Sequence, residues 1–295
     1  MSYDLFFRVP AGRPPISVGD FNAYFGNRRH YQLQQSQAWY SNEATGVYFS
    51  FNLTEGEEDS ELAPGTADAN VAFNLNFYRP HIFGLEAEPE VRAFVNHFKL
   101  LVSDPQTEGV GDGPYSTEGF FRGWNHGNEF GCRAVAGQQG DQETPVTLPT
   151  ADLERYWRWN YGVEAYQQAL GESIFVAKII FLLHEGAARS LAVWPDGIPI
   201  ALPDVDLVML GRDELAPRSP LGKKQTEKAL VPRSELVSLL RLGIRKETPA
   251  PHTVLDYDER PAPVTDFFKS FRASNAPLQG VGVDKILNRE ILRSR

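Results

Sequence analysis

Cysteine is nearly absent from this chain of 295 residues, and the spacing patterns typical of metal sites are missing as well. The single cysteine, Cys132, cannot form an intrachain disulfide or supply a metal cage made of cysteine alone. The six histidines are dispersed, and no H-x-x-x-H or H-E-x-x-H spacing occurs among them. We therefore expect no metal and no other cofactor.

Long hydrophobic runs are also missing. The longest apolar stretch, SIFVAKIIFLLHEG at 173–186, is too short to span a bilayer and contains Lys178. The first residues, MSYDLFFRVPAGRPP, have neither the basic start nor the apolar run of a signal peptide. These features predict a protein that does not insert into membranes and that resides in the reducing cytoplasm.

Positive charge is scarce in the first half of the chain. Residues 1–150 contain 9 Lys and Arg against 19 Asp and Glu, whereas the remainder contains 20 against 19, so the total of −9 comes from the first half. Such a surface repels nucleic acid and suits a basic protein partner. The glycine-rich stretch GVGDGP at 109–114 lacks the GK[ST] ending of a phosphate-binding loop, which favours a simple turn.

Alternating hydrophobicity predicts an α+β fold of mostly antiparallel sheets flanked by helices, in two sub-domains. Val47, Phe49 and Phe51 should face one side of a strand, with Tyr48 and Ser50 on the other side. Strands at YDLFFRV, YQLQQSQAWYS, TGVYFSFNL, NVAFNLNFYRP and LLVSDPQ, with helices at SVGDFNAYFGNRR and EPEVRAFVNHFKLL, give the order β-α-β-β-β-α-β.

The second half continues in the same style, so we expect three segments. These are an acidic N-terminal α+β domain at 1–135, a linker at 136–150, and a C-terminal α+β domain at 151–295 with an irregular basic tail. Within the last segment, RSLAVWPDGIPIAL predicts a hairpin with PDG at its tip, and VPRSELVSLLRLGI predicts a helix. DERPAPVTDFFKSFRASNAPLQGVGV predicts mostly irregular chain, and DKILNREILRSR predicts a final short helix.

Glycine recurs at every fourth position of STEGFFRGWNHGNEFGC (116–132), which predicts a helix with one face free of side chains. Residues four apart drift by only about 40° around a helix, and each glycine costs about 1 kcal/mol relative to alanine. Four are therefore justified by close packing, with Phe120, Phe121 and Trp124 in the core.

The same stretch supports an alternative, a hydrolase in which His126 acts as the base and Glu129 or Asp104 orients it. His126 and Glu129 are three residues apart and can be neighbours on a helix. A cleft holding His126 beside a carboxylate would favour this enzyme, whereas burial of His126 would favour the packing role.

Carboxylates also cluster at Glu86, Glu88, Glu90 and Asp104. Paired carboxylates can perform acid–base chemistry. Glu88 and Glu90 are also what the first turn of a helix prefers, because its dipole favours negative charge there. We favour the latter interpretation.

The segment TEGEEDSELAPGTAD carries five acids between Glu55 and Glu61 and no hydrophobic anchor before Leu62, which predicts a solvated loop. It is the best candidate for contact with a basic patch on a partner. The predicted partner-binding residues are Glu55, Glu57, Glu58, Asp59 and Glu61.

Several phrases occur together along the chain: YDLFF, YSNEATGVYFSFNL, FNLNFYRPHIFGLEAEPEV, SDPQ, GWNHGNEFG and AVWPDGIPIALPDVDLVML. The arrangement resembles uncharacterised bacterial proteins found beside polymorphic toxins, among which immunity proteins are common. The resemblance implies stoichiometric binding that blocks a cognate toxin, and it carries no active-site residues with it.

Three functions follow as hypotheses. The first, which we favour, is a non-catalytic binding protein of the immunity type whose partner is a basic toxin domain. The second is the hydrolase built on His126. The third is a structural subunit of a larger bacterial assembly, in which the basic tail at 258–295 embraces another chain.

Overall fold

The computed structural model describes residues 1–54, 65–106, 108–138, 145–216, 226–274 and 277–293. The chain divides into two compact units. Unit 1 comprises Met1–Leu153 and Val283–Arg295, and unit 2 comprises Glu154–Gly282. Unit 2 is thus inserted, along the chain, between two segments of unit 1. The predicted α+β class with mostly antiparallel sheets is confirmed.

Unit 1 is built on a seven-stranded antiparallel sheet and three main helices. The strands are β1 (Ser2–Pro10), β2 (Tyr31–Gln34), β3 (Gln37–Asn42), β4 (Val47–Leu53), β5 (Thr66–Asn76), β6 (Leu101–Ser103) and β7 (Asp112–Gly113). Their order in the sheet is β2-β3-β4-β5-β1-β6-β7. The helices are α1 (Val18–Phe25), α2 (Ile82–Phe98) and α3 (Thr117–Gln138).

One face of this sheet, here called the inner face, forms an aromatic core with the three helices. Phe51 is fully buried and contacts Phe25 of α1 and Phe94 of α2. On the neighbouring part of the sheet, Tyr3 contacts Phe120 of α3. The predicted alternation of β4 is therefore confirmed, because its odd-numbered residues point into this core.

The glycine repeat does form a helix that packs through its glycine face, as predicted. A Cβ atom at Gly127 would lie 2.1 Å from the ring of Phe77, and one at Gly123 would lie 2.7 Å from the hydroxyl of Tyr3. Phe120 and Trp124 are fully buried, whereas Phe121 is only half-buried. Close approach of the helix to the sheet thus accounts for the repeat.

Two sequence predictions in unit 1 need correction. YQLQQSQAWYS is a hairpin of β2 and β3, in which Gln35 adopts a left-handed φ of 45°, and not one strand. Helix α2 begins at Ile82, four residues before Glu86, so Glu88 and Glu90 lie beyond its first turn. Pro89 therefore lies inside the helix, where it lacks the N–H that would donate to the carbonyl of Leu85.

The chain leaves and re-enters unit 1 through paired segments. The strand β8 (Val146–Leu148) pairs in parallel with β18 (Ile286–Asn288), which is followed by α7 (Arg289–Arg293). Asn288 is buried and ties three elements together, because it accepts a hydrogen bond from the backbone N–H of His81 and donates to Thr150 Oγ1. The expected single terminal helix is therefore a short strand and a one-turn helix.

Unit 2 contains a five-stranded and a four-stranded sheet. The elements are α4 (Thr150–Leu170, which begins in unit 1), β9 (Phe175–Val176), β10 (Ile180–His184), β11 (Ala187–Pro195), β12 (Ile200–Pro203), β13 (Leu207–Arg212), β14 (Glu227–Pro232), α5 (Val237–Leu240), β15 (Ile244–Lys246), β16 (His252–Leu255), α6 (Ala262–Ser270) and β17 (Gln279–Val281). The sheet orders are β14-β13-β11-β10-β17 and β15-β16-β12-β9.

The predicted hairpin at PDG is wrong. The chain turns at Asp196 and Gly197, which both have positive φ, but β11 pairs with β10 and β13 while β12 pairs with β16 and β9. Pro195 and Pro199 flank the turn and lack the N–H groups that a tight ladder would use.

One further prediction in unit 2 also fails, and another is incomplete. The first residues of VPRSELVSLLRLGI belong to strand β14, and only a 3₁₀ turn at Arg233–Leu236 and the one-turn helix α5 follow. The stretch expected to be irregular contains helix α6, which starts directly after Pro261. A proline at the first turn is compatible with a helix, because the N–H it lacks has no intrahelical partner there.

Candidate functional site

His126 and Glu129 lie together on the exposed side of α3, opposite the glycine face. With Phe130, Arg133 and Ala134 they line a surface depression of about 420 Å³. The carboxylate of Glu129 is 2.5 Å from Nη2 of Arg133, whose Nε donates to the carbonyl of Ile291. The carboxylate is thus held by a cation, whereas an orienting residue would hold the histidine ring.

Asp104 is not brought to this depression. It is buried on the packed side of α3, where its carboxylate accepts hydrogen bonds from Tyr3 Oη and from the backbone N–H groups of Gln106 and Val110. Burial raises the pKa of Asp104, and the two backbone donors oppose that shift. Its contacts are those of a residue that fixes the turn after β6.

The carboxylates of α2 do not form a pair either. Glu86 is buried and accepts hydrogen bonds from Tyr40, Asn42 and Thr45. Glu88, also buried, accepts from Tyr115 and Thr117. These two residues therefore anchor the helix to two different parts of unit 1.

Glu90 forms a third separate contact on the same helix. Its carboxylate is 2.7 Å from Nη2 of Arg28 and accepts a hydrogen bond from Tyr31.

Within the part of the chain that the structure describes, no group of three or more His, Cys, Asp or Glu residues is arranged to hold a metal ion.

The acidic loop lies outside the described residues, which end at 54 and resume at 65. The prediction that Glu55, Glu57, Glu58, Asp59 and Glu61 contact a partner therefore stays a prediction. The units themselves differ in charge: unit 1 has 13 Lys and Arg against 22 Asp and Glu, a net −9, while unit 2 has 16 of each. The whole net charge of the chain belongs to unit 1.

The second face of the seven-stranded sheet, here called the open face, is the most distinctive surface of unit 1. Two in-register rows of outward positions define it. The first row is Gln32, Trp39, Ser50, Asn74 and Asp4, and the second is Gln34, Gln37, Asn52, Ala72, Phe6, Ser103 and Asp112. Five of these twelve residues are amides, two are hydroxyls and two are aromatic, and none is Lys or Arg.

Hydrogen bonds between strands and along one strand hold several polar side chains of the open face in place. Gln37 of β3 donates to Asn52 of β4 at 2.8 Å, and Asn52 donates along its own strand to Ser50 at 3.1 Å. Asn74 of β5 donates to Asp4 Oδ1 of β1 at 2.6 Å. Three of the five amides are therefore fixed by hydrogen bonds.

The aromatic residues of the open face remain accessible. Phe6 is 45% exposed, and Trp39 is half-buried. The Trp39 ring stacks on Tyr48, with centroids 5.5 Å apart and planes at 22°. Tyr48 lies two residues before Ser50 on β4 and accepts a hydrogen bond from Arg79 Nε at 2.7 Å, so the stacked pair is fixed beside the first row.

The sequence offers five aromatic residues as candidate anchors for a partner, Trp39, Tyr40, Tyr48, Trp157 and Trp159, and only some of them are available at a surface. Tyr40 and Trp159 are buried, whereas Trp39, Tyr48 and Trp157 are half-buried. The sequence alternation placed Tyr48, Ser50 and Asn52 on one side of β4. It could not show that the outward residues of β1, β3 and β5 line up with them, because strand order and register set that alignment.

Comparison of the chain with protein-family models, with curated proteins and with solved structures finds no match. Among the described residues, no helix is both long enough and apolar enough to cross a membrane. The functional proposal below therefore depends on the surfaces themselves.

Proposed function

We propose that this chain acts by binding another protein through the open face of unit 1. The observation that carries the proposal is the group of amides around Trp39 and Phe6, in two rows that contain no Lys or Arg and in which Gln37, Asn52 and Asn74 are hydrogen-bonded. Solvated sheet faces are common in antiparallel sheets. A face built from amides and aromatic residues instead has the composition of binding surfaces, in which aromatic side chains supply contact area and short polar side chains supply hydrogen bonds.

Rigidity supports the same conclusion. Three of the five amide side chains are held by cross-strand hydrogen bonds, and Trp39 is held by its stack on Tyr48. A partner that docks on this face has to order few side chains, which lowers the entropic cost of association. The strands beneath are fixed by the aromatic core of the inner face, so the surface keeps its shape.

Charge indicates what kind of protein binds. Asp4 and Asp112 are the charged residues of the two rows. Arg8 lies beside the second row, where it is buried, donates to Ser103 at 2.8 Å and lies 3.5 Å from Asp112. Because unit 1 carries the net charge of −9, a basic partner surface is attracted to it and its encounter is accelerated. The resemblance noted above makes a bacterial toxin domain our proposed partner and neutralisation by direct binding our proposed role.

The test uses the product of the gene adjacent to the one for this chain. Growth of cells that express this product should be restored by co-expression of the chain, and calorimetry should show a stoichiometric complex. Trp39→Ala should weaken the complex by about thirtyfold or more, which is typical of a central aromatic anchor. Growth should then no longer be restored.

Phe130→Ala is the matched control, because Phe130 is 63% exposed on α3, away from the open face. The dissociation constant should change less than twofold in this variant. If Phe130→Ala weakens the complex and Trp39→Ala does not, the binding surface is α3 and the proposal is wrong. If the complex depends on Trp39 but growth is not restored, protein binding through the open face is supported and neutralisation of a toxin is ruled out.

The acidic loop provides a kinetic test of the same proposal. Neutralising Glu57, Glu58 and Asp59 together should slow association at low salt and leave dissociation unchanged, since exposed charges act mainly on the encounter. Association measured over a salt series checks this. An unchanged salt dependence would show that the loop does not contribute.

A further inference from the structure

The five-stranded sheet of unit 2 has a hydrophobic cluster on one face. Leu182, Leu191 and Leu207 are buried there, and Met209 and Leu230 pack against them. The register explains the grouping, because Leu191 pairs with Leu207 and Met209 pairs with Leu230 across adjacent strands. An apolar surface thus continues from β10 to the edge strand β14.

A cavity of about 490 Å³ opens at the end of this cluster. Its lining includes Lys228 and Leu230 of β14 at one edge of the sheet, and Leu278, which directly precedes β17 at the opposite edge. Ser274 also lines the cavity, and its backbone N–H donates to the carbonyl of Lys228 at 2.7 Å, which places this part of the lining beside β14. Residues from both edges of the sheet therefore contribute to one cavity.

The polar groups around this cavity are basic or neutral. Lys228 lies two residues from Leu230 and His184 two residues from Leu182, so both project from the face that carries the hydrophobic cluster. Ser274 and Thr226 add hydroxyl groups. The acidic neighbour Glu227 points to the other face of β14, where it pairs with Arg212. Among the described lining residues there is no Asp or Glu.

We propose that this cavity binds a small amphipathic anion. The apolar body of the ligand would lie on Met209 and Leu230, and its carboxylate or sulfonate would meet the ammonium group of Lys228 beside His184. The volume lies within the range of pockets that hold small organic ligands. Charge complementarity selects an anion, because the exposed ammonium group of Lys228 forms stronger hydrogen bonds with a carboxylate or sulfonate than with a neutral acceptor. The site is separate from the open face and does not depend on the protein-binding proposal.

Two fluorescent probes with the same aromatic body test the proposal on the full chain. One is 8-anilinonaphthalene-1-sulfonate, and the other is N-phenyl-1-naphthylamine, which lacks the sulfonate. The anionic probe should bind with one site per chain, and decanoate should displace it. Decylammonium should not displace it. Equal affinity for the two probes, or displacement by 1-decanol as strong as by decanoate, would overturn the assignment of an anion site.

Variants then place the probe in this cavity. Lys228→Gln should weaken binding of the anionic probe about tenfold, the effect of losing one charge-assisted hydrogen bond, and should leave binding of the neutral probe unchanged. Lys178→Gln is the matched control, because Lys178 is an exposed lysine of unit 2 outside the lining, and it should change neither affinity. If the two lysine variants behave alike, the site is elsewhere.

Leu230→Trp fills the cavity and should abolish binding of both probes. Its thermal unfolding is measured in parallel, so that loss of binding in a folded variant is separated from loss of fold. Undiminished binding in a folded Leu230→Trp protein would overturn the proposal. If this variant does not fold, Met209→Phe adds bulk at the partner position in the register and is read in the same way.

Discussion

The inner face and the open face of the seven-stranded sheet are made by the same strands, yet the side chains on the two faces make different kinds of contact. On β4, Phe51 is fully buried among rings from α1, α2 and β1, whereas its neighbour Asn52 exchanges hydrogen bonds with Gln37 and Ser50 on the open face. The first kind of contact is apolar and specifies the fold. The second is polar and arranges a surface.

The difference separates residues that stabilise unit 1 from residues available for contact. Burial of a large aromatic ring contributes several kcal/mol, whereas a hydrogen bond between partly exposed side chains contributes about 1 kcal/mol, since water competes for both partners. A face that adds little to folding is free to serve binding. The comparison therefore predicts that stability and binding respond to different substitutions on the same strand.

The largest expected effect comes from the inner face of β4. Phe51→Ala should lower the free energy of unfolding by about 3–5 kcal/mol, because it leaves a cavity among packed rings. Asn52→Ala, one residue along the strand, should lower it by about 1 kcal/mol or less. Urea unfolding of both variants measures the contrast. Similar losses in the two variants would contradict the division between the faces.

The second prediction concerns the glycine face of α3, which sits against the sheet. Gly127→Ala should lower the free energy of unfolding by about 1–3 kcal/mol, because its Cβ would lie within 2.7 Å of three atoms of the Phe77 ring. The same substitution at Gly137, on the same helix, meets nothing within 4 Å and should raise stability by up to about 1 kcal/mol. Opposite signs in thermal unfolding are the expected result. A loss of stability in both variants would show that the higher helix propensity of alanine does not stabilise α3.

Two tryptophans of unit 1 give a third contrast. Trp124 is fully buried and donates a hydrogen bond to the carbonyl of His81, so Trp124→Ala should cost about 3–5 kcal/mol. Trp39→Ala removes only a half-exposed ring and its stack on Tyr48, and should cost about 1 kcal/mol. Denaturant midpoints of the two variants provide the measurement. A large loss for Trp39→Ala would mean that this residue supports the fold, and its use as a binding anchor would have to be tested by a conservative change such as Trp39→Phe.

These contrasts also show where sequence reasoning was sufficient. Alternation on β4 and β5 and the spacing of Phe21 and Phe25 on α1 report burial directly, because a side chain's face follows from its position in a strand or helix. The prediction of a hairpin at PDG was wrong, because the chain turns between Pro195 and Pro199 but β11 and β12 do not pair with each other. The open face could not be predicted at all, because Trp39, Ser50, Asn74 and Asp4 come from four strands that only long-range pairing brings together.

The smallest expected effect is electrostatic and lies beneath the inner face. Burial raises the pKa of Asp104 above 3.8, so the folded protein holds this proton more tightly than the unfolded chain does. The contribution of Asp104 to stability is therefore fully present below pH 3.8 and is lost as the pH rises through the folded-state pKa. Titration of the side-chain carboxyl carbon by NMR should give a midpoint above 3.8. In the Tyr3→Phe variant one donor to the carboxylate is removed, and because that hydrogen bond lowers the pKa of Asp104, the midpoint should rise further. A lower midpoint in Tyr3→Phe than in the parent protein would mean that the phenol of Tyr3 acts on Asp104 mainly by shielding it from water. Packing, and not the hydrogen bond, would then be the main effect of Tyr3 on the pKa of Asp104.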